Sequence, residues 1–186
     1  MDVFEAIKGR RSVRDFTETP VTSDVIVKLL DAAAQAPNHK MTQPWRFYVL
    51  GPKARRAYGD VLGGRKAKKI ENPEAAQAVR DKVAATHERL PGMIAFAMVQ
   101  DENPETAEEN YAAMMMAVQN FSLAAAAEGL ATHIKTGAIM QDPGAREAAG
   151  VAEVEKIVAI LELGEPASMP STKERTPASQ FTIWRD

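Results

Sequence analysis

The chain lacks several residues and motifs on which common enzyme chemistries depend. It has no cysteine, which excludes disulfides, thiolate nucleophiles and thiolate metal sites. Its three histidines are far apart, and no H-E-x-x-H pattern or carboxylate cluster accompanies them, so we expect no metal site. G-x-G-x-x-G, Walker A and G-x-S-x-G patterns are also missing, so nothing supports a Rossmann dinucleotide fold, a P-loop or serine hydrolysis.

The chain also lacks an excess of either charge and any long apolar run. The net charge of −2 gives no reason to expect nucleic acid or an anionic membrane as a partner. No uncharged apolar run is long enough to span a bilayer, and the acidic start Met1–Glu5 does not resemble a signal peptide. With 45% hydrophobic residues over 186 positions, we expect one soluble globular domain, located in the cytoplasm.

Apolar residues follow helical and strand periods that alternate irregularly along the chain. Helical spacing predicts helices over about residues 2–9, 22–35, 53–62, 73–89, 104–128 and 142–149. Aromatic and β-branched runs predict strands over residues 45–50, 93–99, 131–136 and 156–163. Because the order is not a clean βαβ repeat, these elements predict a single α+β domain over residues 1–186.

Three finer expectations concern burial and helix ends. Residues 93–99 are apolar throughout, which predicts a strand buried on both faces. Helix 104–128 carries few charges after Tyr111, so we predict that it is buried nearly all round. Gly63-Gly64 is predicted to end the third helix, which leaves the basic run 65–69 as a solvated face or mobile loop.

A polar loop joins the second predicted helix to the first predicted strand. Pro37 and Pro44 fix its backbone, and Asn38, His39 and Gln43 lie between them. A rigid polar connection between two apolar elements is a common place for functional residues. Taken alone, however, His39 indicates only a surface histidine.

Basic residues concentrate in two further segments. In Arg10–Phe16, three arginines surround Ser12, an arrangement that suits phosphate binding through guanidinium forks and a hydroxyl. The alternative is that Arg10 and Arg11 are favoured by the dipole at the end of the first helix. On the residues alone, both interpretations stand. Lys173-Glu174-Arg175 by itself indicates no more than solvated charge.

Taken in order, these segments resemble the FMN-dependent nitroreductase family, in particular its short NAD(P)H nitroreductase-like members. The resemblance covers nearly the whole chain and rests on Arg10–Phe16, Ala36-Pro37 with Gln43–Phe47, Glu128–Leu130 with Thr136-Gly137, and Leu163–Pro166 with Lys173-x-Arg175. It implies an α+β fold with a mixed, mainly antiparallel sheet flanked by helices. It also implies an intertwined homodimer with two FMN sites at the interface.

The resemblance implies roles for the basic segments. Arg10 corresponds to a ligand of the FMN phosphate, with Arg11 beside it, and Ser12 to a ligand of the phosphate and ribityl chain. Arg14 corresponds to a cation at the pyrimidine edge of the isoalloxazine ring, where reduced flavin carries negative charge. A second pair of phosphate ligands corresponds to Lys173 and Arg175.

Two further segments complete the implied cofactor site. Asn38, His39 and Gln43 belong to the loop that reaches the flavin from the partner subunit in the family. In the other segment, backbone N–H groups face N5 and O4 of the ring, an approach that a glycine permits. That segment comprises Ile134, Lys135, Thr136 and Gly137. No side chain is expected to act as a catalyst, because the flavin carries the chemistry.

The implied activity is hydride transfer from NAD(P)H to flavin N5 and on to a nitroaromatic, quinone or similar acceptor. Two alternatives stay open: another flavin enzyme on the same scaffold, dehalogenating or fragmenting flavin, and a noncatalytic flavin-binding redox sensor. Four strands are few for an independent sheet, so the tail 165–186 is a candidate for a further strand in its own subunit or a partner's. Its apolar residues Phe181, Ile183 and Trp184 are expected to pack on the partner.

The chain departs from the family at several of these positions. Met41 stands where many members have asparagine, and Asn38 and His39 stand where many have serines. His133-Ile134-Lys135 lacks the tryptophan found in some short relatives. Residues 63–80 correspond to a variable region and receive no role.

Overall fold

The computed structural model describes residues 1–186, which form six α-helices and four β-strands. The helices are α1 (Val3–Gly9), α2 (Ser23–Ala34), α3 (Pro52–Ala67), α4 (Pro73–Glu88), α5 (Pro104–Ala127) and α6 (Pro143–Ala149). The strands are β1 (Trp45–Val49), β2 (Gly92–Val99), β3 (Ala131–Lys135) and β4 (Glu155–Gly164). Every predicted element is present, and the α+β class is confirmed. No helix combines the length and the apolar composition that crossing a bilayer requires.

The four strands form one sheet in the order β1-β2-β4-β3, and all three pairings are antiparallel. The central strand β2 is buried along Gly92–Met98, as its continuous apolar run predicts. A parallel pairing is present as a single bridge between Ser12, which lies outside the named strands, and Thr132 of β3. This bridge ties the segment after α1 to the outer strand β3.

Helices cover both faces of the sheet and create two apolar cores. On one face, α2 and α5 pack over Phe96, whose ring makes edge-to-face contacts with Phe47 and Phe121 at centroid distances of 5.0 and 5.3 Å. On the other face, α3 and α6 pack on the sheet and form a core that includes Tyr58 of α3 and Ile160 of β4. Helix α4 lies against α3. The sheet is therefore enclosed, and its outer strands β1 and β3 carry the accessible edges.

The predicted end of α3 at Gly63-Gly64 is wrong, because the helix continues to Ala67. A Cβ atom on Gly63 would lie 2.7 Å from the Cα atom of Arg80 on α4. The glycine therefore permits close packing of two helices and does not terminate one. Beyond it, Arg65 is held by an ion pair of 3.0 Å with Asp142, so the basic run is partly anchored.

The prediction that α5 is buried nearly all round is wrong for the single chain, whereas packing of the tail on a partner stays a prediction. Helix α5 buries Met114 and Phe121, but Tyr111 and Met116 on its other side are 43% and 39% exposed. The tail adds no strand to the sheet of its own chain and contains only a short 3₁₀ turn. Its apolar residues are exposed, from 74% at Phe181 to 90% at Trp184.

Candidate functional site

A polar cleft of about 1290 Å³ opens beside β3, between the end of α1 and the segment that follows β4. Only 2 of the 16 residues that line it are hydrophobic. Asp15 is the acidic residue among them, and it is outnumbered by basic ones. The basic lining residues are Lys8, Arg10, Arg11, Arg14, Lys173 and Arg175. Such an excess of cations in a concave site favours an anionic ligand.

The end of α1 is positioned by local capping and by β3. Asp2 and Glu5 form a reciprocal capping box that starts the helix, which ends at Gly9 with Arg10 as its C-cap residue. The chain then runs extended beside β3, where the Val13 N–H donates to the Thr132 carbonyl at 3.1 Å. Val13 is 1% exposed, so this anchor is buried. It fixes the arginines on either side of Val13 at the cleft.

The segment after β4 forms the opposite wall of the cleft. The Ala167 N–H donates to the Asp15 carbonyl at 2.9 Å, which holds this segment against the one that follows α1. Arg11 Nη2 donates to Thr172 Oγ1 at 3.0 Å and so ties the wall further along. Two basic residues then face the cleft from this wall: Lys173 and Arg175.

Among the cations that line the cleft, Arg10 is the one with a buried donor that lacks a partner. Its Nη1 atom is buried and has no hydrogen-bond partner. By contrast, the Arg11 guanidinium donates hydrogen bonds to Thr172 and to backbone carbonyls of its own turn. A buried guanidinium donor without a partner is costly, and the oxygens of a phosphate would satisfy it. The donor set of the cleft therefore fits a phosphate-bearing ligand.

In the predicted segment that begins at Ile134, one side chain lines the cleft and another lies in the protein interior. Ile134 lines the cleft, but the Lys135 ammonium contacts Glu162 and His87 in the interior. The structure thus does not place the Lys135 side chain at the cleft. Thr136 and Gly137 are exposed, and Gly137 has φ 99° and ψ −163°, a conformation that only glycine adopts readily. Backbone is therefore accessible directly after β3.

The loop before β1 is braced by its own side chains. Asn38 Oδ1 accepts the Gln43 N–H at 2.6 Å, and Asn38 Nδ2 donates to Thr42 Oγ1 at 2.9 Å. Lys40, Met41 and Gln43 all have left-handed backbone, with φ between 44° and 55°. Three such non-glycine residues in one short loop store strain that is typical of functional sites.

This loop lies at the corner of the sheet diagonally opposite the cleft. Trp45, just after the loop, pairs with Met98 at one end of β2, whereas the cleft adjoins Thr132, level with Gly92 at the other end. The step from Gly92 to Met98 spans roughly 20 Å, and crossing from β1 to β3 adds roughly 14 Å. The structure therefore does not bring Asn38, His39 and Gln43 to the cleft of their own chain.

His133 and Gln119 also line the cleft, and the sequence analysis did not select them. His133 pairs across the sheet with Glu162, and its Nδ1 atom lies 2.8 Å from Glu162 Oε2. The signal was available in the strand pattern, since His133 and Lys135 alternate with Ile134 and so share one face. Its partner on β4 depends on strand register, which the pattern does not give.

A buried charge cluster underlies this wall. Burial alone would raise the pKa of the Glu162 carboxyl, but hydrogen bonds from His133 and Lys135 outweigh it and hold the pKa below its usual value. Burial and the nearby Lys135 ammonium lower the pKa of His87. Burial also raises the pKa of Tyr58, whose ring lies 5.9 Å from that of His87. At neutral pH the cluster thus holds an ionised Glu162 beside neutral His87 and Tyr58.

The fold and the cleft define an α+β protein with a cation-lined cleft at the edge of an antiparallel sheet. The sequence model of the Nitroreductase family matches residues 7–165. The chain is also 32% identical over 174 residues to YfhC of Bacillus subtilis (strain 168), provisionally named an NAD(P)H nitroreductase. That match covers 93% of this chain and 89% of YfhC. The chain belongs to the nitroreductase family.

Solved structures agree with this membership. A nitroreductase-like family protein from Bacillus cereus superimposes with a TM-score of 0.85 at 31% identity, covering 100% of this chain and 96% of that one. A variant of NfnB from Sphigopyxis sp. strain HMH, described as an FMN- and NADPH-dependent nitroreductase, gives a TM-score of 0.80 at 21% identity. It covers 100% of both chains, and at this identity the likeness shows the fold alone.

Proposed function

We propose that the protein is a cytoplasmic, FMN-dependent NAD(P)H oxidoreductase that reduces a nitroaromatic, a quinone or a similar acceptor. The observation that carries the proposal is the buried, unsatisfied Arg10 Nη1 atom in a cleft lined by cations. Family membership supports it, because YfhC is provisionally named an NAD(P)H nitroreductase and NfnB is described as an FMN- and NADPH-dependent nitroreductase.

Residues of the cleft can be matched in turn to the phosphate, the ribityl chain and the ring of FMN. Arg10, Lys173 and Arg175 would bind the phosphate, and Ser12 would donate its hydroxyl to the phosphate or the ribityl chain. Arg14 lines the same cleft further along the chain and would face the pyrimidine edge of the ring. Arg11 has a different part in this proposal, because its contact with Thr172 holds the cleft wall in place.

In the mechanism that we propose, FMN when bound supplies the chemistry by accepting a hydride from NAD(P)H and passing it to the acceptor. Arg14 stabilises the negative charge that develops at the pyrimidine edge, since a fixed cation in a water-poor site acts strongly. Thr136 and Gly137 offer backbone that a flat ring can approach closely. No side chain of the cleft needs to act as a nucleophile.

The proposal includes a homodimer, because one chain does not assemble the whole predicted site. The strained loop at residues 38–43 lies diagonally across the sheet from the cleft of its own chain. A two-fold axis can bring the loop of a second copy to that cleft. The exposed Tyr111 and Met116 on α5, and the exposed apolar tail, supply surface for such contact. Residues 1–186 would form one domain whose tail, 165–186, packs on the partner.

An absorbance experiment tests the function directly. The purified protein, incubated with FMN and desalted, is expected to retain flavin absorbance. Anaerobic NADPH or NADH is expected to bleach it, and a nitroaromatic or quinone to restore it. The exposed Arg89, which makes no ion pair, gives a matched control for Arg10: Arg89→Ala should retain FMN and Arg10→Ala should not. Absence of any flavin retention would contradict the proposal, and retention without bleaching would favour a noncatalytic flavin-binding protein.

A further inference from the structure

Glu162 is a buried carboxylate that contacts three basic side chains behind the wall of the cleft. It is 5% exposed and projects from the central strand β4. His133 Nδ1 lies 2.8 Å from its Oε2 atom, and the Lys135 ammonium contacts its Oε1 atom. His87 Nε2 lies 3.7 Å from the same Oε1 atom and 3.1 Å from the Lys135 nitrogen. His133 and Lys135 donate to the carboxylate, which holds both in fixed positions, whereas the neutral His87 donates from Nδ1 to the Val83 carbonyl and accepts from Lys135 at Nε2.

His133 is the member of this cluster that also lines the cleft. Its Nδ1 atom is committed to Glu162, which fixes the ring and sets the proton on that nitrogen in the neutral form. Its Nε2 atom has no protein partner and is not enclosed, so it is open to a ligand. Thr132, which precedes His133 in β3, forms a β-bridge with Ser12, a predicted phosphate ligand. His133 therefore follows directly after the residue that pairs with this ligand.

While the cleft holds no anion, basic groups outnumber acidic ones around His133. Inside, Glu162 is balanced by Lys135, His87 is kept neutral by burial and by Lys135, which lower its pKa, and Tyr58 is kept neutral by burial, which raises its pKa. On the cleft side, Asp15 is the negative group. The positive groups facing the cleft are Lys8, Arg10, Arg11, Arg14, Lys173 and Arg175. An entering phosphate would add negative charge beside the imidazole ring.

We infer that His133 is a further ligand-contacting residue of the cleft, which takes up a proton when a phosphate-bearing ligand binds and then donates from Nε2 to that ligand. Glu162 is a positioning residue in this arrangement, because it orients the ring without touching the ligand. The inference rests on the proposed function in that FMN is the ligand. Its consequence is a cofactor affinity that rises as the pH falls through the range in which histidine changes charge, between about pH 5 and 8.

Proton uptake on binding provides the test. FMN is titrated into the full-length apoprotein by isothermal calorimetry at pH 7.5, in buffers with different ionisation enthalpies, and the proton count follows from the slope. We expect net uptake of a fraction of a proton by the wild type and little or none by His133→Gln, with FMN affinity at pH 6 reduced about tenfold by the loss of a charged hydrogen bond. Cations that hold a phosphate dianion cannot produce this uptake, because they favour proton release.

Riboflavin, which lacks the phosphate, is the matched ligand control in the wild type. Uptake with FMN but not with riboflavin supports the inference even if His133→Gln does not fold, which circular dichroism would reveal. Equal uptake with the two ligands, or equal uptake by wild type and a folded His133→Gln, overturns the inference and leaves the proposed function intact. Failure of the wild type to bind FMN at all overturns both.

Discussion

The cleft beside β3 and the loop before β1 are both polar, yet they are built in opposite ways. The cleft leaves donors open: Arg10 Nη1 is buried without a partner. The loop satisfies itself, because Asn38 bonds to both Gln43 and Thr42. A surface with unpaired hydrogen-bond donors can bind a ligand, whereas a loop whose polar groups are paired with one another contributes a fixed surface. The cleft is therefore suited to bind and the loop to cover.

The two regions also differ in the type of residue that adopts a positive φ angle. Directly after β3, the positive-φ position is occupied by Gly137, which adopts it without steric cost. The loop instead has left-handed Lys40, Met41 and Gln43, each of which carries a penalty. Strain retained by non-glycine residues is typical of functional segments. The proposed purpose is to complete the cleft of a second copy.

The largest expected effect concerns this dependence on a second copy. Ile183→Ser with Trp184→Ser should raise the dimer dissociation constant about a thousandfold, since each side chain would lose about 2 kcal/mol of apolar burial. FMN affinity should fall with it. Sedimentation velocity and flavin titration measure the two changes. Val154→Ser, an exposed apolar site outside the tail, is the control. A double variant that stays dimeric would break the comparison, because the tail would then not hold the dimer together.

The next effect concerns the support behind the cleft. Glu162→Gln should lower the free energy of unfolding at pH 7 by about 3 kcal/mol, because it leaves Lys135 without its buried partner. The control Glu128→Gln removes a surface pair with Lys28 and should cost less than about 1 kcal/mol. Urea unfolding measures both. Equal costs would contradict the view that the cleft wall depends on this carboxylate.

The pH dependence of stability should change with the same substitution. The pKa of Glu162 is lowered in the folded protein, so its contribution is present above the ordinary carboxyl value of 4.5 and is lost as pH falls through the folded pKa. Wild-type stability should therefore decline below pH 4.5 more steeply than that of Glu162→Gln. Parallel curves over that range would show that the carboxylate is not linked to folding.

Much of the fold follows from local patterns in the sequence. Periodicity gave every helix and strand, because a buried strand such as Gly92–Val99 and a capped helix such as Pro143–Ala149 carry their signals within a few residues. Gly63 misled the prediction, because a glycine can end a helix or let another pack closely, and only the position of Arg80 distinguishes these. The exposed side of α5 likewise reflects a surface that the single chain does not cover.

The candidate site was less predictable than the fold, because part of it also depends on tertiary packing. Arg10, Arg14, Lys173 and Arg175 could be selected from ordered motifs, and the structure brings them to one cleft. For His133, the strand pattern shows only that it shares a face with Lys135, and its position in the site depends on pairing with Glu162, 29 residues away in the sequence. Strand register decides that pairing, and register depends on tertiary packing.

A smaller effect measures the openness of the cleft itself. Arg10→Ala should raise the FMN dissociation constant about 30-fold, because a charged hydrogen bond contributes about 2 kcal/mol. Folding stability should hold or increase, since the substitution removes a buried donor that has no partner. Fluorescence quenching of FMN and thermal unfolding measure these two responses. A variant that binds FMN as tightly as Arg89→Ala would remove Arg10 from the site.

The smallest effect tests whether the loop holds strain that the cleft avoids. Met41→Gly should stabilise the protein by about 0.5 kcal/mol, because it relieves a left-handed penalty of about 1 kcal/mol or more while adding some unfolded-state entropy. Gly137→Ala is the matched reverse and should destabilise by about 1–2 kcal/mol, although no atom obstructs its Cβ, since φ is 99°. Chemical denaturation distinguishes the two signs. If Met41→Gly instead destabilised, the left-handed loop would be held by contacts of the Met41 side chain, and the two corners would differ in packing, not in strain.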